Sequence, residues 1–103
     1  MSNVHETTDS VAAWARETFG RPKSNLQLIL RARREMEELV DRVTIDSDDA
    51  GIPEEIADVV IVLMPVLANF MTDLQSEINA KMAINRKRKW NTRGDGVGQH
   101  IPE

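Results

Sequence analysis

Three observations predict an all-α fold, a four-helix bundle completed by homo-oligomerisation. Apolar residues recur at helical spacing in segments parted by glycine, proline or acidic breaks. The longest apolar stretch, Ile56 to Met71, outruns the usual ~4–8 residue strand, and no second strand-like segment exists to pair with it. That stretch is apolar on nearly every side, so it needs cover that one chain of 103 residues with few helices can hardly supply. A second subunit is the expected source of that cover. The length itself allows one domain, 1–103.

Each element follows from local signals. Residues 1–7 carry no apolar periodicity and read as a loose terminus. Thr8, Asp9 or Ser10 can cap a first helix whose apolar face is Val11, Ala12, Trp14, Ala15 and Phe19, and Gly20 with Pro22 ends it. Ser24 or Asn25 can cap a second, where Leu28, Ile29, Ala32, Met36, Leu39, Val40 and Val43 repeat at helical spacing. The acidic stretch 46–51 reads as a connection, and Pro53 suits the first turn of a third helix, which Pro65 should kink. That helix does not span a membrane, because Glu55 and Asp58 stand at its start and its apolar run is shorter than the ~20 residues required. A fourth helix is expected from Thr72 or Asp73 to Trp90, with Leu74, Ile78, Met82 and Trp90 as its candidate inward face. Residues 91–103, with Gly94, Gly96, Gly98 and Pro102, read as a C-terminal tail.

Composition excludes several function classes. With no cysteine there is no disulfide framework, thiolate zinc site, iron–sulfur cluster or cysteine nucleophile. No charged leader followed by an apolar stretch and a small-residue cleavage site opens the sequence, so a cytoplasmic protein is the default expectation.

The net charge of −4 hides two local excesses. Glu35, Glu37, Glu38, Asp41, Asp46, Asp48, Asp49, Glu54, Glu55 and Asp58 gather ten of the seventeen acids. From Lys81 to Arg93 stand Lys81, Arg86, Lys87, Arg88, Lys89 and Arg93 with no acid among them. On the second helix Glu35 and Glu38 lie about a turn apart on one face, and Glu55 and Asp58 repeat that spacing on the third. Both pairs sit to the same side of their helix's apolar stripe, so antiparallel packing brings four carboxylates together. Such a cluster repels itself unless cations join it, and hard divalent ions with substrate phosphates suit it best. Lys81, Asn85, Arg86 and Arg88 are candidate phosphate or sugar contacts, and Trp90 a candidate stacking surface for a base. His100 and Asn69 carry weaker signals: a surface histidine in the tail, and an amide among apolar neighbours that reads as a device for fixing helix register.

In this order the residues resemble a known family. Glu35-x-x-Glu38, with sixteen residues before Glu55-x-x-Asp58, resembles the paired acid motif of the MazG-like, all-α nucleoside triphosphate pyrophosphohydrolases. Lys81-Met-x-x-Asn85-Arg86-x-Arg88-x-Trp90, Asp95-Gly96, Gln99-His100, Trp14 and Phe19-Gly20 are similar to the branch known as dATP/dGTP diphosphohydrolases. The resemblance covers nearly the whole chain. It implies Mg²⁺- or Mn²⁺-dependent cleavage of a nucleoside triphosphate, with purine dNTPs the expected substrates, to monophosphate and pyrophosphate. It also implies a homodimer or homotetramer. By motif, Glu35, Glu38, Glu55 and Asp58 fall on the metal ligands, and Lys81, Asn85 and Arg88 on nucleotide-holding positions. Arg34 departs from the pattern, because many members carry another acid there. Water activated at the ions would attack the α-phosphorus, with Glu38 the favoured proton acceptor and Glu35 its catalytic neighbour.

The rival from another class is a small helical nucleic-acid-binding or regulatory protein using the basic 81–93 segment. A negative net charge and an acidic centre argue against nucleic acid as the partner.

Overall fold

The computed structural model describes residues 5–46 and 49–102. Four α-helices run in order: α1 Thr8–Phe19, α2 Asn25–Asp41, α3 Ile52–Asn69 and α4 Leu74–Lys87. All four expected helices are present. The fourth ends three residues sooner than the sequence suggested, because the chain turns extended at Arg88.

Capping chemistry sets the boundaries. The cap of α1 is Thr7, one residue before the expected candidates: its hydroxyl accepts from the Ser10 amide at 3.0 Å, and the Ser10 hydroxyl accepts from the Thr7 amide at 2.7 Å. Thr7 therefore belongs to the helix start and not to a loose terminus; residues 1–4 lie outside the described residues. Ser24 caps α2 through the Gln27 amide, and Asp73 caps α4 through the Ser76 amide. After Asp41 the chain widens into a π turn, Arg42–Asp46. Of the expected acidic connection, residues 47–48 lie outside the described residues, and a 3₁₀ turn, Asp49–Gly51, feeds Pro53 into the first turn of α3. Pro65 sits inside α3, which continues as one helix to Asn69.

The helix α3 is the hub, packing against α2 along its length and against α1. It ends in a Schellman motif: the Thr72 amide bonds the Leu67 carbonyl, the Met71 amide bonds the Ala68 carbonyl, and Met71 takes the left-handed φ of 58°. The corner turns α4 away from α3 by 92°. The buried Thr8 hydroxyl fastens that corner to α1 by accepting from the Leu74 amide at 2.9 Å.

The C-terminal segment, expected as a tail, is a short hairpin. Strands β1 Trp90–Thr92 and β2 Gly98–His100 pair antiparallel, with Trp90 opposite His100. Gly94 and Gly96 supply the positive φ values of the turn, and the Trp90 indole donates to the Asn85 carbonyl at 2.9 Å, folding the hairpin back on the end of α4. The pairing is two-stranded and exposed, so its short-range turn chemistry was hard to separate from a loop.

Among the described residues, only Val11 and Ala32 are buried apolar side chains. The radius of gyration is 16.4 Å, against about 13 Å expected for a compact chain of this length. Ile56, Ile61, Ile78, Met82 and Ile84 leave large apolar surface open on α3 and α4. No single helix, among the described residues, is long and apolar enough to cross a membrane.

Candidate metal and nucleotide site

The α2–α3 packing brings the acid pairs together. Glu35 faces α3 because it shares the α2 face of Ala32, one turn before it; Glu55 and Asp58 face back from the first two turns of α3. Carboxylate oxygens of Glu35, Glu55 and Asp58 all lie within 4.8 Å of one another. Glu35 and Glu55 are each only 7% exposed, and Asp58 is half-buried. Glu38, a turn further along α2, is exposed at the rim, and its carboxylate bears on Glu35 electrostatically.

Two guanidiniums enter the cluster from its edges. Arg31 meets Glu35 at 2.6 Å, and Arg42, at the start of the π turn, meets Glu55 at 2.9 Å. Four carboxylates against two guanidiniums leave two negative charges, the balance that one divalent cation neutralises. Burial raises the pKa of Glu35, with Glu38 and Asp58 adding to the rise and Arg31 opposing it. The second Glu55 oxygen, Oε2, is buried with no hydrogen-bond partner. A buried carboxylate oxygen without a donor is costly, and a hard cation is the partner its charge suits. The donor set, all oxygen, thus fits Mg²⁺ or Mn²⁺.

The cluster opens into a groove of about 1310 Å³ between α1, the 20–24 loop, α2 and α3. Glu35 and Asp58 line it, and the cations Arg16, Arg21, Lys23, Arg31 and Arg34 line it too. Trp14 and Phe19, in edge-to-face contact with centroids 5.4 Å apart, supply an exposed aromatic wall. Asn69 reaches across the α2–α3 contact, its amide donating to Asn25 Oδ1 at 2.8 Å. Acid, cation and aromatic surfaces on one groove can hold a metal–polyphosphate and an attached ring together.

The expected substrate residues are placed elsewhere. Lys81, Asn85, Arg86 and Arg88 lie on α4 or at its cap, and Trp90 opens the hairpin. Asn85, Arg86 and Trp90 line a second, shallower groove with Met82, and none of the five lines the groove of the acid cluster. Within one chain, therefore, the acidic and basic halves do not share a cavity. Asn85 Oδ1 is buried without a partner while its amide approaches the Met82 sulfur.

Arg31 lies outside the sequence expectation, whereas Arg34 entered it only as a departure from the motif, and Trp14 and Phe19 only through the resemblance. The signal for Arg31 was present as an Arg four residues before Glu35 on one helix face. Arg42 and Glu55 are brought together by the fold alone.

No protein-family model matches the chain. The dATP/dGTP diphosphohydrolase of cyanophage S-2L is 34% identical over 98% of this chain and 90% of its own length. A dATP/dGTP diphosphohydrolase of Salmonella phage PMBT28 is 35% identical over 88% of this chain, which spans only 29% of that longer protein. Among solved structures, the cyanophage S-2L MazG-like pyrophosphohydrolase, bound to dGDP and three catalytic Mn²⁺ ions per active site, superposes with a TM-score of 0.72. It is 31% identical, and the match covers 93% of this chain and 90% of that one.

Proposed function

The chain belongs to the MazG-like dATP/dGTP diphosphohydrolases, and on that premise we propose that it hydrolyses purine deoxynucleoside triphosphates, dATP and dGTP, to the monophosphate and pyrophosphate. The carrying observation is the Glu35–Glu55–Asp58 cluster, with the orphaned Glu55 Oε2 inside it, opening into a groove with a cationic lining.

Glu35, Glu38, Glu55 and Asp58 would hold Mg²⁺ or Mn²⁺. Bound there, the ions supply Lewis-acid activation of water and charge neutralisation of the phosphates. The chain's own groups do the rest. Glu38, exposed beside Glu35, accepts the proton of the attacking water. The water oxygen bonds to the α-phosphorus, the bridging α–β oxygen bond breaks, and pyrophosphate leaves with the electron pair. Arg31 and Arg34 neutralise charge on the phosphates from within the groove.

Lys81, Asn85, Arg86, Arg88 and Trp90 serve the nucleotide from a second copy of the chain, as a homodimer or a homotetramer. What supports this is the slight core, the open apolar faces of α3 and α4, and the separation of α4 from the acid groove within one chain. The folded unit is then one domain, 1–103, repeated, working on the nucleotide pool of the cytoplasm. The test is pyrophosphate release from the four dNTPs with and without Mn²⁺, with Asp58→Ala alongside. Metal-dependent release from dATP and dGTP, lowered more than ~100-fold in the variant, is expected. No turnover of any nucleotide would remove the reading.

A further inference from the structure

At the end of the groove away from the acids lie two amides, Asn25 in the first turn of α2 and Asn69 in the last turn of α3, joined by a 2.8 Å hydrogen bond. Asn25 precedes Glu35 by ten residues and Asn69 follows Asp58 by eleven, so both amides sit roughly 15 Å from the carboxylates, at 1.5 Å per helical residue. That span is the length of a purine nucleoside monophosphate with its metal ion. Leu28 and Pro65 line the groove beside the axis between the two ends.

One hydrogen bond leaves much of each amide unused. Asn69 donates from Nδ2 to Asn25 Oδ1, which leaves Asn69 Oδ1 as an acceptor and Asn25 Nδ2 as a donor. If both amides turn over together, the bond reverses and the outer atoms exchange roles: Asn69 then offers the donor and Asn25 the acceptor. The outer face is one donor beside one acceptor, in either order. Adenine and guanine differ in that very order, since adenine presents a 6-amino donor beside the N1 acceptor, and guanine a 6-oxo acceptor beside the N1 donor.

We propose that the Asn25–Asn69 pair reads the 6- and 1-positions of a purine base, and that its reversibility lets one site take both adenine and guanine nucleotides. The inference rests on the nucleotide-hydrolase reading above and adds base selection to it. Cytosine and thymine carry the same two orders, but held by the same phosphates they stop about one ring short of the amides. Reach selects purine over pyrimidine, and the reversible pair accepts either purine.

The test compares kcat/KM for dATP, dGTP, dITP, dCTP, dTTP and the 6-unsubstituted purine deoxyriboside triphosphate, in the parent chain and in Asn25→Ala and Asn69→Ala. With Mn²⁺ present, each variant should lose about tenfold on dATP and dGTP, expressed in KM with kcat kept, and nothing on dCTP or dTTP. The parent should treat dITP like dGTP, since the 2-amino group is not read. It should favour dATP over the 6-unsubstituted analogue by about tenfold, a preference both variants should lose. Thermal melting of each variant, with dGMP and dAMP titrations, separates unfolding from lost recognition. An equal loss on all four dNTPs would make the pair a structural tie and overturn the proposal. A purine preference kept in both variants would overturn it and leave the hydrolase reading standing. Absence of metal-dependent turnover in the parent would remove both.

Discussion

Glu35 carries the most constrained charge among the described residues. Burial is the largest cause of its raised pKa, and the neighbouring Glu38 and Asp58 carboxylates push in the same direction against Arg31. The folded chain therefore holds a proton there that the unfolded chain has released above 4.5, so unfolded chains bind fewer protons across that window and stability falls as pH rises through it. The metal-free protein should lose Tm from about pH 4.5 upward to the raised value, and Glu35→Gln should flatten that slope, as read by thermal melts in chelator. Arg31 stands on the same balance. Arg31→Ala should raise the Glu35 pKa further and raise KM for dGTP about tenfold, measured by pyrophosphate release over a substrate series. The meeting of Glu35, Glu55 and Asp58 was legible in the sequence because helical spacing puts i and i+3 on one face, while Glu38 stays exposed at the rim. Arg42 was not, because its meeting with Glu55 depends on a π turn and a connection that no periodicity encodes.

At the scale of elements, the α3–α4 corner decides the shape. Met71 holds a left-handed conformation that costs a side-chain-bearing residue roughly 1 kcal/mol, and at 95% exposure its side chain recovers nothing within the chain. Met71→Gly should relieve that strain and raise Tm by about 4–8 °C, measured by calorimetry. Thr8 works in the opposite direction. Thr8→Val should strand the Leu74 amide and lower stability by about 1–3 kcal/mol, seen as a lower denaturant midpoint at unchanged slope. The helices were readable from Ser24, Pro53 and the apolar repeats, because caps and periodicity act over one or two turns. The corner angle was not, since it depends on the φ of Met71, a residue type that rarely takes that region. The hairpin escaped for a related reason: its Gly94 and Gly96 mark a turn whether or not flanking residues pair.

The whole molecule leaves its acidic and basic halves on different cavities, and the proposed remedy is a second copy. Chains carrying Asp58→Ala and chains carrying Arg88→Ala, each weak alone, should regain a substantial share of parent activity when mixed and allowed to exchange subunits. Light scattering should give a mass of at least twice 11.6 kDa for the parent, and Ile84→Glu should lower it. The assembly is the part least legible in sequence: an apolar third helix announces that cover is needed, while the direction of α4, which decides what it can reach, emerges only from the folded corner. The Arg31 and Arg42 ion pairs have one further effect, on how the protein survives scarcity. Guanidiniums already resting on Glu35 and Glu55 offset half of the charge of the four acids, so the repulsion left for a divalent ion to relieve is only the remaining half. Starved of metal, such a protein falls silent without falling apart, because the two ion pairs already temper the repulsion among its acids.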